Sequence, residues 1–315
     1  MIRKAAIVSI SGLILNKKEK IIIKKEKPWG IILFKRNISS ENQLISLTKS
    51  IKFLMKDKKY PILIDEEGGK VSRLSNFLDN SIFNQKYFGD IYKVNKQIGT
   101  NLYKLYIESL SKILTKTGIN INTSPVLDLK KKNAHEVIGN RSYSENSFIV
   151  NELGKLCVKF YRENKIATVI KHIPGHGRAN LDSHFALPKI NNTLKSLKKS
   201  DFKCFKNTSS FFAMTAHILY TKIDKKNNTT HSSTIIKKII RNEISFKGIL
   251  ISDDISMKAL KHDIIRNAHL ALKAGCNLVL YCAGKTSEVK RLLNKTPNID
   301  KFTMKKTSEF YKFLR

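Results

Sequence analysis

At 315 residues the chain can bury a full core, which fits one large barrel domain or two ordinary ones. A 41% hydrophobic fraction with modest aromatic content reads as a soluble globular protein. The formal charge of +34, from 59 Lys+Arg against 25 Asp+Glu, raises nucleic-acid binding. Only ten of those basic residues are Arg, however, and the lysines are scattered along the chain, as at Lys17-Lys18 and Lys130-Lys131-Lys132. That scatter argues against a dedicated nucleic-acid site of clustered Arg and aromatics and leaves weak, salt-sensitive attraction to polyanions. Lys, Ile and Asn share A/T-rich codons, so base composition can produce such an excess without selection for a basic surface.

In chain order, residues 5–15 (AAIVSISGLIL) come first. The run is too short to span a bilayer and no small-x-small cleavage site follows, so a buried first strand is expected rather than a signal peptide or anchor. Further short, β-branched strand candidates lie at 30–34, 61–65, 119–123, 166–170, 211–216, 248–252 and 277–282, after a first strand over 6–14. Helix-like stretches near 41–58, 95–117, 147–164, 193–207, 232–245, 256–274, 285–295 and 300–314 alternate with them. Eight strands alternating with helices predict a parallel (β/α)8 TIM-type barrel, with residues 1–315 as a single domain. The connection NKKEKIIIKKEKP shows no clear helix, so the first βα unit is expected to be irregular.

Polar residues fall repeatedly at strand ends. Asp65 ends the third candidate, Lys171-His172 the fifth and Asp253 the seventh, while His217 follows the sixth. In a barrel these share the C-terminal rim, where such folds place their chemistry. The four cysteines (Cys157, Cys204, Cys276, Cys282) form no CxxC pair and no metal-ligand spacing, and are expected as free thiols in a reducing cytoplasm.

Three segments carry the chemistry. Residues 171–188, KHIPGHGRANLDSHFALP, hold three histidines, a Lys and an Asp, with PGHG shaping a loop. Taken alone, the segment admits a metal site, a phosphate cradle or an acid/base centre. Asp182 lies two residues from His184, close enough to orient and polarise its ring across a turn for proton transfer. His176 is expected to hold the turn. In Ser252-Asp253-Asp254-Ile255-Ser256, Asp253 suits a nucleophile or electrostatic stabiliser, with Asp254 or Ser256 capping the next helix. Residues 64–73, IDEEGGKVSR, place two glycines after an acidic run, which on its own also suits an acidic metal loop.

In order and spacing these segments resemble the bacterial β-N-acetylhexosaminidases of glycoside hydrolase family 3, the type that acts in peptidoglycan recycling. IDxEGGxVxR appears at 64–73, IGxRSxS at 138–144, KHFPGHG-x4-DSHxxLP at 171–188 with Ile173 for the usual Phe, SAH as TAH at 215–217, SDDLSM as SDDISM at 252–257, and AGCDxxL as AGCNLVL at 274–280. The likeness runs from about residue 30 to 285; residues 15–29 match nothing recognisable in the family. A second domain found in the β-glucosidase members is not expected here.

The resemblance implies a retaining, exo-acting β-N-acetylglucosaminidase that removes N-acetylglucosamine from muropeptides. Asp253 would form the glycosyl-enzyme and His184, assisted by Asp182, would be general acid/base. Asp65, Arg73, Arg141, Lys171 and His172 would bind the sugar. It further implies no cofactor and no metal, a cytoplasmic monomer, a carbohydrate substrate such as GlcNAc-anhydromuropeptides, and no specific nucleic-acid or membrane partner. A glycoside phosphorylase using the same site is the nearest alternative, and a non-catalytic basic nucleic-acid or polyanion binding protein a more distant one.

Overall fold

Short apolar strands whose residues are buried on both faces, separated by amphipathic helices, fold here into the closed parallel sheet that such a pattern favours. The computed structural model describes residues 2–131, 138–179, 181–183 and 186–315. Its strands are β1 (Lys4–Val8), β2 (Pro28–Leu33), β3 (Ile62–Ile64), β4 (Ile121–Asn122), β5 (Ala167–Ile173), β6 (Lys189–Ile190), β7 (Phe212–Thr215), β8 (Leu219–Tyr220), β9 (Ile249–Asp254) and β10 (Leu278–Tyr281). All but β6 and β8 close a barrel in the order β1-β2-β3-β4-β5-β7-β9-β10 and back to β1, every pairing parallel. β6 and β8 pair with each other above the rim.

Alternation along the strands divides the core in two. Ile7, Ile32, Val169, Phe212, Met214, Ile249 and Ile251 fill the barrel, while Ala6, Val8, Ile31, Leu33, Ala213 and Leu250 face the helices. The helices are α1 (Lys17–Glu26), α2 (Glu41–Leu54), α3 (Gln85–Val94), α4 (Lys96–Lys116), α5 (Ser147–Glu163), α6 (Leu194–Lys199), α7 (Ile264–Ala274), α8 (Thr286–Lys295) and α9 (Lys301–Phe313). Phe310 of α9 packs edge-on against Phe212 and close to Trp29, whose indole N–H donates to Thr307 Oγ1 at 2.9 Å. This plug closes the N-terminal end of the barrel and leaves chemistry to the opposite rim. None of the described helices is long and apolar enough to cross a membrane.

The eight expected strands all occur, but several boundaries move. β1 is Lys4–Val8 rather than 6–14, and 9–16 is loop. The connection expected to be irregular is helix α1, with a capping box in which Asn16 Oδ1 accepts from Glu19 N and the Glu19 carboxylate accepts from Asn16 N. Its lysine-rich outer face hid the buried stripe of Glu19, Ile22 and Ile23. The irregularity that does exist is a register slip between β1 and β2 from Lys4 to Ile7. Helix α3 was not expected; it is short, and Asn84 caps it after a loop rich in turn residues. The stretch 193–207 splits into α6 and a 3-10 turn at Asp201–Phe205, and Ile235–Glu243 is wound wide, as a π-helix.

Removing the α1 cap by Asn16→Ala is expected to cost about 1 kcal/mol of stability, read as a lower urea midpoint with an unchanged slope. A midpoint equal to wild type would mean that α1 contributes nothing through its cap.

Candidate active site

Strand ends define the site. Asp65 follows β3, Thr123 follows β4, Lys171 and His172 lie near the end of β5, and Asp253 lies near the end of β9. Together with Arg73 and Arg141 from the connecting loops they line one cavity of about 190 Å³ at the C-terminal rim. Phe34, Met214, Met257 and Leu280 supply its apolar walls.

The floor is an ion cluster built around Lys171. Its ammonium lies 2.5 Å from both Asp65 Oδ1 and Glu67 Oε1. Asp65 also accepts from Arg73 Nη2 at 2.6 Å and from Thr123 Oγ1 at 2.7 Å. Glu67 takes Arg141 in a fork, through Nε at 2.7 Å and Nη2 at 2.8 Å. Burial alone would push both carboxylates up, but Lys171 and Arg73 hold Asp65, and Arg141 and Lys171 hold Glu67, below the usual carboxylate range. Burial would likewise lower the Lys171 ammonium, and the two carboxylates overcome it and raise its pKa. Glu66, between them, turns away and accepts from the backbone N–H groups of Arg73 and Leu74, fixing the loop. That loop needs its glycines: Gly68 and Gly69 have φ of +82° and +60°, and a Cβ on Gly68 would stand 2.2 Å from the Phe83 carbonyl.

Successive strand residues normally face opposite sides, so Lys171 and His172 facing one cavity calls for a local slip. The β5–β7 register shifts between Lys171 and Ile173. A second slip lies between β9 and β10, where Ile251 pairs with Leu278 but Asp254 with Leu280. Ser252 Oγ accepts the Leu280 N–H at 3.0 Å, replacing a lost ladder bond, and Asp254 joins Asp253 at the cavity. Asp254 does not cap a helix as expected. Its carboxylate accepts from Ser256 N and Oγ and from Cys282 N, while Asp263 caps α7. Burial pushes the Asp254 carboxyl up, partly offset by those hydrogen bonds. His217 stands behind the wall: its Nδ1 meets Thr230 Oγ1 at 2.7 Å and its Nε2 the Asp254 carbonyl at 3.0 Å.

The PGHG loop covers one side of the cavity. Gly177 passes so close to the Leu129 carbonyl that a Cβ would lie 2.0 Å from it. His176 Nε2 lies 3.0 Å from Ser183 Oγ, and the Ser183 carbonyl accepts from Ala259 N at 3.2 Å. Ser183 lines the cavity, and Asp182 beside it is half-buried. His184 lies outside the described residues. Beneath the loop, buried Asp128 receives His172 Nδ1 and His176 N–H, each at 2.6 Å. Among the described residues no group of His, Cys, Asp or Glu is arranged to hold a metal ion.

The sequence model of the glycosyl hydrolase family 3 N-terminal domain matches residues 4–309. The chain belongs to glycosyl hydrolase family 3. It is a glycosidase, and its fold is that of its solved relatives. A β-hexosaminidase of Nitrosomonas eutropha is 32% identical over 282 residues, covering 87% of this chain and 79% of that protein. One from Neisseria gonorrhoeae is 31% identical, covering 89% and 78%. Among solved structures, NagZ of Neisseria gonorrhoeae in complex with N-trifluoroacetyl-D-glucosamine superposes over 100% of this chain and 90% of that one, with TM-score 0.88 and 28% identity. A family 3 β-N-acetylglucosaminidase of Paenibacillus superposes with TM-score 0.86 and 25% identity, over 98% of this chain and 60% of that one.

For this family 3 glycosidase the structure brings Asp65, Arg73, Arg141, Lys171, His172 and Asp253 to one cavity, with Asp182 one residue from its wall. Sequence reading passed over Glu67 and Asp128. Glu67 stood inside the IDEEGG segment, and Asp128 sits a few residues beyond the fourth strand, where the rim logic applied to Asp65 would have found it. Cys282, expected as a free thiol, is half-buried and lines the cavity.

Replacing Lys171 by Met strands Glu67 as a buried carboxylate beside a half-buried Asp65 and is expected to cost about 3–5 kcal/mol, measured by denaturant unfolding; a near-neutral change would mean the cluster is well solvated. Acid sensitivity has a second source. Burial first, only partly offset by Asp128, lowers His176 from about 6.5 to about 4. A depressed histidine contributes stability that is complete above its unfolded pKa and drains away as pH falls from about 6.5 toward 4. The carboxylates of the cluster add their loss below about pH 4. Unfolding free energy should therefore begin to decline near pH 6.5, and His176→Gln should make that slope shallower; an equal slope in both proteins would contradict the assignment.

Proposed function

We propose that this glycosidase is a retaining, exo-acting β-N-acetylglucosaminidase, its 315 residues forming one catalytic domain. The observation that carries the reading is the meeting of the Asp253 carboxylate with the Lys171–Asp65–Glu67–Arg141 cluster in a single cavity of sugar-ring scale. Its curated relatives are β-hexosaminidases, and the gonococcal neighbour holds an N-acylated glucosamine, which supports the sugar assigned here.

In this reading Arg73, Arg141, Lys171, Asp65 and His172 orient the sugar hydroxyls and acetamido group over Asp253. The Asp253 carboxylate attacks the anomeric carbon as the bond to the leaving oxygen breaks, and His184, held by Asp182, delivers a proton to that oxygen. Water then enters; His184 takes its proton, the new C–O bond forms, and Asp253 leaves with its charge restored. Two inversions give net retention. An imidazole in place of the second carboxylate departs from the usual two-carboxylate pair. A loop-borne acid/base also suits a site that closes on its substrate before reaction. The substrates would be muropeptides carrying N-acetylglucosamine β-1,4-linked to an anhydro-muramoyl unit, cleaved by a monomer in the cytoplasm. Four free cysteines agree with a reducing compartment.

Asp253→Asn should cut kcat on an aryl N-acetyl-β-glucosaminide by about 10⁴-fold or more with an unchanged melting curve. Full activity in that variant would remove Asp253 from the mechanism. His184→Ala should slow poor leaving groups by about 10²–10⁴-fold while sparing activated aryl glycosides. Equal losses on both would remove it as the acid. Free N-acetylglucosamine is the expected product in phosphate buffer, and sugar 1-phosphate there would make the enzyme a phosphorylase.

A further inference from the structure

Asp128 has no part in the scheme above, yet it is fully enclosed directly behind the cavity. Its two oxygens have separate duties. Oδ1 accepts the His176 backbone N–H at 2.6 Å, and Oδ2 lies 2.6 Å from His172 Nδ1. The His172 backbone N–H adds longer bonds to the same carboxylate, at 3.2 and 3.3 Å. Burial works against the charge on Asp128, and its contacts with His172 and His176 outweigh it, so the group stays ionised. An ionised carboxylate only accepts, so the hydrogen between Oδ2 and the ring belongs to Nδ1.

The consequence falls on the other ring nitrogen. His172 lines the cavity, and its Nε2 has no hydrogen-bond partner among the described residues. Around it, Lys171, Arg73 and Arg141 can only donate, while Asp65 and Glu67 already accept from those cations. A bare imidazole nitrogen adds what this ring of donors lacks, a neutral acceptor for a sugar O–H.

We propose that Asp128 is a positioning residue that locks His172 in the Nδ1–H tautomer, so that Nε2 meets the substrate as an acceptor for one hydroxyl. The proposal rests on the glycosidase reading of the cavity and adds a residue that acts through another.

Asp128→Asn separates this from mere packing. A backbone N–H can only donate, so the amide oxygen must stay at the Oδ1 position facing His176, which turns the NH₂ toward His172 Nδ1. The ring then has to accept at Nδ1 and carry its proton on Nε2. Long-range ¹H–¹⁵N correlation spectra of the imidazoles, in mildly alkaline solution, read this directly, with His172 assigned through its loss in His172→Asn. Wild type is expected with Nδ1 protonated and Nε2 bare, and Asp128→Asn with the pattern reversed. KM for the aryl N-acetyl-β-glucosaminide should rise about tenfold with a smaller fall in kcat.

A wild-type ring protonated at Nε2 overturns the proposal, and that reading does not require the variant to fold. A folded Asp128→Asn protein with an unmoved ring proton, or with unchanged KM, overturns it equally. Failure of the wild-type enzyme to cleave any N-acetylglucosaminide would instead remove the substrate reading, and the tautomer measurement would stand apart from that result.

Discussion

One ammonium group shared by two carboxylates organises this protein. Lys171 lies between Asp65 and Glu67, each of which also holds an arginine, so five charged groups from three separate parts of the chain form one network around a buried Lys171 and Glu67. Desolvating so many charges is expensive, and removing any one member strands its partners. The network persists because a closed barrel brings the ends of β3 and β5 within reach and the loops after β3 and β4 supply Arg73, Glu67 and Arg141. What results is a set of donors and acceptors held in place by the fold at the rim of the barrel, before any ligand is bound.

The regular barrel is interrupted where it serves the site. A perfect parallel strand would turn one of Lys171 and His172 outward, and a perfect β9 would carry Asp253 inward with Ile249 and Ile251 but turn Asp254 away. Register slips at both strands break that alternation, and side chains take over the lost bonds, as Ser252 does for Leu280. The N-terminal end shows the opposite character, with Trp29, Phe212 and Phe310 packed as a plug. The aromatic plug and the candidate site therefore occupy opposite ends of one barrel.

The charge of the whole chain has little to do with this site. The lysine excess lies mostly on helix faces and loops, in short ion pairs such as Lys86–Asp90 and Lys306–Glu309 or in none that decide the fold. Inside the rim, three cations face two carboxylates of the cluster, with Asp253 beside them. A lysine on the surface is solvated, and Lys171 is not; the same residue type does unrelated work in the two settings.

The sequence by itself determined the barrel, because eight β-branched runs between amphipathic stretches leave few other ways to bury both faces of a parallel sheet. It also singled out Asp65, Arg73, Arg141, Lys171, His172 and Asp253, since segment order and strand-end position survive in one dimension. Its errors were local. A lysine-rich outer face hid α1, and a helix expected from residue 256 starts at Ile264 because Asp254 closes a turn with Ser256 instead of capping. Only the tertiary structure decided that Glu67 joins Arg141 while Glu66 turns away, and that Asp128 stands behind His172. Adjacent carboxylates look alike in a sequence, and what separates them is which donors the folded chain brings within 3 Å.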